Sequence, residues 1–348
     1  MPNRRPARIT IKDLARDLEM SVATVARAFQ PGTAIAPATR AAVLRRAAEC
    51  GYQPDALARS MITRHTGIVG VAVADLENPF YPQALSLLTA ALQAEGFNTM
   101  LALAGPDGVA DSALRLLLSY RPEYAVVLAT SLTTEAAAAC HAAGVPLLFL
   151  NRTPARAESA AVACDNRAGA AAVADHLLAG GARRLAFIGG RPDTSTHAER
   201  REGFQRRLVE HGLPPAREAA AGAFTYAAGR AAAEALLAAP DRPDAIFCAS
   251  DILALGALDA ARSSFGLRVP EDLALAGFDD IPMAAWPAHD LTTLRQPLAR
   301  MVAIAVERVR RAAAGEAPEG GTLHLRGELV VRGTTRPARL PHDTTTRR

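Results

Sequence analysis

The residues of this chain best equipped for chemistry recur in one kind of place, just after short apolar runs. Asp75 and Asn78, Asn151 and Arg152, Asp165 and Asn166, the Arg191-Pro192-Asp193 turn, Ser250 and Asp251, and Asp279 and Asp280 all sit there. Acids, arginines and amides at such points can hydrogen-bond a small polar ligand, although each alone is also an ordinary turn former. They do not compose a catalytic signature. The sequence has no G-x-G-x-x-G after its first strand, no G-x-x-x-x-G-K-[ST] and no G-x-S-x-G, and Gly189-Gly190 is too little for a phosphate cradle. The neighbouring acids Asp279 and Asp280 are expected to point apart, one as a ligand-bonding group, and not to work as an acid-base pair. Cys50, Cys140, Cys164 and Cys248 are far apart, with no Cys-x-x-Cys pair and no histidine at metal-ligand spacing. They read as small core residues, and neither a metal nor a cofactor is expected.

The elements that position these residues alternate between strand and helix. Ile68 to Val73 is a buried-strand run, Tyr81 to Glu95 has helical spacing, and Asn98 to Leu103 is a strand again. The alternation continues through Ala125 to Leu128, Val145 to Leu150, Leu185 to Ile188, Ala245 to Cys248 and Leu273 to Ala276. This predicts a parallel α/β body, in which ligands bind at the carboxyl ends of the strands.

The N-terminal stretch differs in charge and in period. The chain of 348 residues carries a net charge of +4, but residues 1 to 65 alone hold eleven Lys/Arg against five Asp/Glu, leaving the remainder slightly acidic. A basic module for nucleic acid explains the asymmetry, as would a solvated basic tail. Thr10-Ile11-Lys12-Asp13 has capping-box form ahead of Leu14, Ala15 and Leu18. Ser21 can cap a second short helix, Pro31-Gly32 stops it, and a third starts near Pro37 and ends before Gly51. Three short helices with a tight turn between the first two fit a helix-turn-helix or another small bundle.

Particular residues favour the former. Ile9 to Ala15, Ser21-Val22-Ala23-Thr24-Val25-Ala26-Arg27, Ala38-Thr39-Arg40 and Gly51 to Met61 resemble the DNA-binding headpiece and hinge of the LacI/GalR family. Glu77-Asn78-Pro79-Phe80-Tyr81, Leu150-Asn151-Arg152, Cys164-Asp165-Asn166, Gly180 to Gly190, Glu199 to Phe204, Ala249-Ser250-Asp251, Ala276 to Asp280 and Leu291 to Pro297 resemble that family's effector domain, itself similar to periplasmic sugar-binding proteins. The likeness covers about residues 8 to 336.

The resemblance implies a three-helix helix-turn-helix headpiece over 8–54, a hinge helix and linker over 55–66, and a periplasmic-binding-protein-like body of two Rossmann-like lobes over 67–336. Lobe 1 is expected at 67–165 and 294–322, lobe 2 at 166–292 and 323–336, and a tail at 337–348. It makes Ser21 to Phe29 the recognition helix, with Val22, Ala23 and Arg27 facing bases and Ser21 and Thr24 near phosphates. Arg27 is the candidate for guanine readout. Ala58 and Met61 belong to the hinge helix, where Met61 matches a leucine that wedges into the minor groove. Three positions depart from the family pattern: Glu19 replaces a turn glycine, Ala26 a serine, and Ala36 a capping hydroxyl.

In the body the resemblance places Asn78, Phe80, Asn151, Arg152, Arg200, Phe224, Ser250 and Asp279 around an effector. Asp and Arg bond vicinal hydroxyls, and Phe224 packs a sugar face or a base. The pair Arg152 and Arg200 also suits a sugar acid, and a purine is the alternative. The implied function is a transcription regulator, in the repressor mode, with palindromic operator DNA and a homodimer as partners. No apolar run reaches the length of a membrane span, and the N-terminus does not read as a signal segment. A cytoplasmic protein without membrane contact is expected. An enzyme lacks its motifs, and a transport-binding protein is disfavoured by the attached DNA module.

Overall fold

The protein is described by a computed structural model over residues 9–29, 32–53, 65–105, 109–128, 132–154, 160–317 and 319–337. It divides into two compact units, one running to Thr66 and the other starting at Gly67.

The first unit is built from α1 (Ile11–Asp17), α2 (Val22–Ala28) and α3 (Pro37–Glu49). Thr10 and Asp13 close a reciprocal capping box on α1, so two amides that a helix start leaves orphaned are satisfied. Ser21 Oγ accepts from the Thr24 amide at 3.1 Å and starts α2. Between them Glu19 takes φ 53°, the left-handed region that glycine occupies without cost. Ala36 gives α3 no side-chain cap, and Pro37 in the first turn supplies the preset φ instead. Leu14, Ala15, Val25, Ala28, Val43 and Ala47 form the core. Arg40 Nη1 donates to the Ala28 carbonyl at 3.0 Å, tying α3 to the end of α2. The hinge segment 54–64 and the tail 338–348 lie outside the described residues.

The second unit has two parallel sheets joined by three crossings. The first lobe takes β1 (Ile68–Val73), α4 (Phe80–Ala94), β2 (Asn98–Leu103), α5 (Asp111–Ser119), β3 (Tyr124–Leu128), α6 (Thr134–Ala142), β4 (Leu147–Leu150) and β5 (Ala160–Cys164). The second takes α7 (Asn166–Ala179), β6 (Leu185–Gly189), α8 (Ser195–Glu210), β7 (Arg217–Ala220), α9 (Tyr226–Leu237), β8 (Ala245–Cys248), α10 (Asp251–Asp259), β9 (Ala274–Asp279) and β10 (Thr292–Arg295). The chain then returns to the first lobe for α11 (Leu298–Ala313), which packs on α4, and β11 (Thr322–Leu325), and ends in the second with β12 (Glu328–Val330). Strand orders are β11-β5-β4-β3-β1-β2 and β12-β10-β9-β8-β6-β7, with β12 alone antiparallel to its neighbour.

The last return differs from the expected one at Leu323. Residues 322–325 pair with 161–164 of β5 in the first lobe, so the crossing falls at Arg326 and Gly327. Gly327 is required there: a Cβ would come within 2.7 Å of the Arg295 carbonyl. Likewise β10 belongs to the second sheet through Arg295, which moves the middle crossing to Gln296 and Pro297. β1, β3, β4, β6, β8 and β9 are apolar and buried on both faces, as strands flanked by helices must be. Among the described residues no helix is long and apolar enough to cross a membrane.

Candidate functional site

In the first unit α2 presents one side outward. Val22 is 42% exposed, and Ser21, Ala23 and Arg27 are also exposed. Val25 and Ala28 point into the core, so the helix is anchored by one face and free on the other. Ser21 Oγ and Thr24 Oγ1 share a 2.8 Å hydrogen bond at its start, which fixes both hydroxyls beside the free amides of the first turn. The Arg27 Nε donates to the Ala23 carbonyl at 3.3 Å, holding the guanidinium along the helix surface. Ala58 and Met61 lie outside the described residues.

In the second unit both sheets turn their strand carboxyl ends toward each other. The Thr153 amide, after β4, donates to Ser195 Oγ, at the start of α8, at 3.0 Å and so links the lobes. A cavity of about 320 Å³ opens between them. It is lined by Asp75, Leu76, Glu77 and Asn78 after β1, Ala104 and Gly105 after β2, Arg191 after β6, and Phe224 and Thr225 ahead of α9. Phe224 owes its seat to Gly190, where a Cβ would meet its ring at 2.4 Å. Gly189 likewise makes room for His197, where a Cβ would meet the imidazole at 2.2 Å. The glycine pair therefore shapes a wall by what it leaves out.

Behind this wall lies a buried polar network. Arg200 is 2% exposed and Asp279 7%. Arg200 Nη1 sits 3.2 Å from Asp279 Oδ1 and donates to the Ala249 carbonyl at 2.5 Å, while its Nε donates to Asn166 Oδ1 at 2.9 Å. The guanidinium also lies over the Phe278 ring at 3.7 Å. Asn166 Nδ2 donates to Glu199 Oε2 at 2.8 Å, and Gln296 Nε2 donates to Asp279 Oδ1 at 2.7 Å. Burial pushes the Asp279 carboxyl above the usual range, against the opposing pull of Arg200. Asp75, held left-handed at φ 54°, is raised for the same reason, against Arg152 at 4.0 Å.

The expected residues therefore divide. Asn78 and Phe224 line the cavity. Asn151, Arg152, Ser250 and Asp279 are buried at strand ends and Arg200 is buried on α8, and none of the five lines the cavity itself. Phe80, expected to face the ligand, does not line the cavity: its ring is 1% exposed in the first lobe's core, at 5.3 Å and edge-on to Tyr81. Its amide, not its ring, serves the site, by donating to Asn78 Oδ1 at 3.2 Å. The reason is positional, since Phe80 is the first residue of α4 and points down onto the sheet. Gln296, an amide between a buried strand and Pro297, carries the same strand-end pattern as Asn151 and Asn166 and joins the network through Asp279. Asp279 and Asp280 do diverge, Asp280 accepting from Arg295 Nε and Arg332 Nη2 at 2.6 Å each.

Among the described residues no group of His, Cys, Asp and Glu converges as a metal site. The four cysteines are free, and burial lifts the Cys164 thiol to about 12.

Residues 174–335 match the family model of a periplasmic binding protein-like domain. The HTH-type transcriptional regulator MalR of Streptomyces coelicolor is 30% identical over 350 residues, covering 94% of this chain and 97% of that protein. A Lac repressor dimer bound to operator and the anti-inducer ONPF superposes with a TM-score of 0.84 at 25% identity, over 94% of this chain and 99% of that one. The transcriptional regulator CelR in complex with cellobiose superposes with a TM-score of 0.70 at 30% identity, over 94% and 100%. With a headpiece, a two-lobed body and full-length relatives that regulate transcription and are not enzymes, the chain belongs to the LacI/GalR family of transcriptional regulators.

Proposed function

We propose that this regulator binds a palindromic operator as a homodimer, acts as a repressor, and is switched by a small polyhydroxylated effector, a sugar or sugar derivative, held between the two lobes. Ser21, Val22, Ala23, Thr24 and Arg27 are assigned to the operator, with Ala58 and Met61 of the hinge. Asn78, Asn151, Arg152, Arg200, Phe224, Ser250 and Asp279 are assigned to the effector. The observation that carries the effector reading is the buried pair of Arg200, on α8, and Asp279, at the end of β9, in the lobe that supplies Arg191 and Phe224 to the cavity. Buried ion pairs add little to stability in themselves, so a pair kept at a cleft is better accounted for by ligand recognition. The cellobiose bound by CelR supports the sugar class.

A ligand that contacts both lobes binds one lobe arrangement more tightly than another, and only that difference can shift operator affinity. The test is a thermal-shift screen of sugars, sugar acids and purines, followed by operator titration with each hit. A specific hit should change operator affinity, and Arg200→Ala or Asp279→Ala should weaken its binding by at least tenfold, as expected for charge-assisted bonds of about 1.5–3 kcal/mol. Wild-type effector affinity in both variants would refute the placement.

A further inference from the structure

We infer that Arg40, acting with Thr33, is the positioning residue of the recognition helix: it fixes the C-terminal end of α2, and with it Arg27, at the angle that base readout needs, and makes no contact with the bases itself. The role rests on the assignment of α2 to the operator and extends it. Ala38-Thr39-Arg40 carries part of the family likeness, yet Arg40 is not among the residues assigned to the operator.

The need arises from the length of α2. Its seven residues, Val22–Ala28, are too few to hold a helix on their own, and its buried residues are Val25 and Ala28. Ser21 secures the start, but the last carbonyls of a helix have no partner within it. Here those of Arg27 and Ala28 are met by groups from beyond the helix. The Ala28 carbonyl accepts from Arg40 Nη1 at 3.0 Å, and the Arg27 carbonyl accepts from Thr33 Oγ1 at 2.7 Å. Arg40 Nη2 in turn donates to Thr33 Oγ1 at 3.1 Å and to the Thr33 carbonyl at 3.3 Å. The Thr33 hydroxyl therefore gives its proton to Arg27 and accepts one from Arg40.

A single guanidinium thus grips the end of α2 twice, directly and through Thr33. The planar fork makes this possible, since donors on two nitrogens reach separate acceptors at once, which the point charge of a lysine ammonium does not. Its positive charge also lies at the negative end of the helix dipole. Arg40 stands in the first turn of α3, which Val43 and Ala47 seat in the core. The end of α2 is therefore indexed to α3 by polar bonds as well as by apolar packing. The indexed residue is the one whose side chain is assigned to guanine. Bidentate readout needs two donors aligned with two acceptors on one base, so a small rotation of this helix end misaligns both. Arg40 itself is half-buried, with both Nη atoms bonded inside the headpiece.

The experiment is a double-mutant cycle in the full chain between Arg40→Lys and Arg27→Ala, on the duplex that the wild type selects from a random pool. Affinity is measured for that duplex, for versions altered at each base pair, and for non-specific duplex at several salt concentrations. Arg40→Lys keeps the charge and should lower affinity for the selected duplex by about tenfold, with discrimination lost at the base pair that Arg27 reads and non-specific affinity unchanged. In the Arg27→Ala background the same substitution should cost much less, about twofold. Thr33→Val keeps the shape and loses the hydroxyl, and should relax the same base pair by a few fold; it decides the matter where hydrogen exchange finds the Arg40→Lys headpiece loosened. Equal losses on selected and non-specific duplex, an Arg40→Lys loss as large without Arg27 as with it, or full discrimination in both Arg40→Lys and Thr33→Val overturns the role of Arg40 and leaves the readout by Arg27 standing. Arg27→Ala that weakens every duplex alike overturns that readout, and the positioning role with it.

Discussion

Replacing Asp251 by asparagine should invert the order of stability between wild type and variant as the pH rises. Asp251 is fully buried at the start of α10 and, among the described residues, has no cationic partner. Its carboxylate accepts from Thr293 Oγ1 at 2.5 Å and from the Ile281 amide at 2.9 Å. Burial, followed by the negative charge of Asp279, overrides those two bonds and lifts its pKa to about 7. Because the folded value lies above the unfolded one, the native state prefers the protonated acid. The contribution to stability is complete below about pH 4 and is lost as the pH rises through about 7. At about 1.36 kcal/mol per pKa unit the whole loss is about 4 kcal/mol, of which about 3 kcal/mol falls between pH 5 and 8. Asparagine carries no such penalty but puts an NH2 group in place of one of the two oxygens that accept from Thr293 and Ile281, which costs about 1–3 kcal/mol. Urea unfolding at half-unit steps from pH 5 to 8 should therefore find the variant less stable at the acid end and level with or above wild type at the alkaline end. The other titrating groups, His176 and His197 among them, are common to both proteins and cancel in the difference. Parallel stability curves would refute the reasoning, since they would mean that Asp251 keeps one protonation state throughout.

Three further outcomes follow from single positions. Glu19→Gly should stabilise the headpiece by about 1 kcal/mol by relieving the left-handed backbone, measured as slower hydrogen exchange of α1 and α2 amides, with faster exchange as the contrary result. Gly190→Ala should cost roughly 1–3 kcal/mol and weaken effector binding, because the new methyl displaces the Phe224 ring; an unchanged melting temperature would contradict the packing. Arg27→Ala should cost roughly 1–3 kcal/mol on the operator and relax preference at one base pair, whereas a uniform loss across sequences would make Arg27 a phosphate contact.

What could be read in the sequence is what local chemistry decides. Thr10 with Asp13, Ser21, Pro37 and Gly51 mark helix ends through bonds made within a few residues, and the structure places those ends there. The apolar runs of β1, β2 and β8 are equally local. Short polar strands were not legible: β7 is Arg217-Glu218-Ala219-Ala220 at a sheet edge, where pairing with β6 and not side-chain burial makes it a strand. Long-range partners were hidden for a related reason. Asn166 and Arg200 are 34 residues apart, and Thr293 and Asp251 are 42 apart, so no periodicity joins them. Phe80 shows the limit of reading a motif without its orientation: the motif gives the residue, but its place at the head of α4 decides that the ring faces the core.

The divergence of Asp279 and Asp280 gives the cleft its mechanical context. Both have positive φ, 121° and 54°, so the end of β9 splays two successive carboxylates to different sides. Asp280 clamps Arg295, at the end of β10, and Arg332, just beyond β12, which fastens both crossing strands to the second lobe. Its bond to Arg332 is largely shielded, the two side chains being 13% and 10% exposed, and is screened little by solvent. Asp279 instead reaches Gln296, the first residue past β10 and the point where the chain leaves for the first lobe. Rotation of the lobes about that crossing would have to strain or break the Asp279–Gln296 bond while the two ion pairs of Asp280 keep β10 in place. A ligand hydroxyl on Asp279 would therefore act on a polar contact at this crossing, where a differential affinity for the two lobe arrangements bears on their balance.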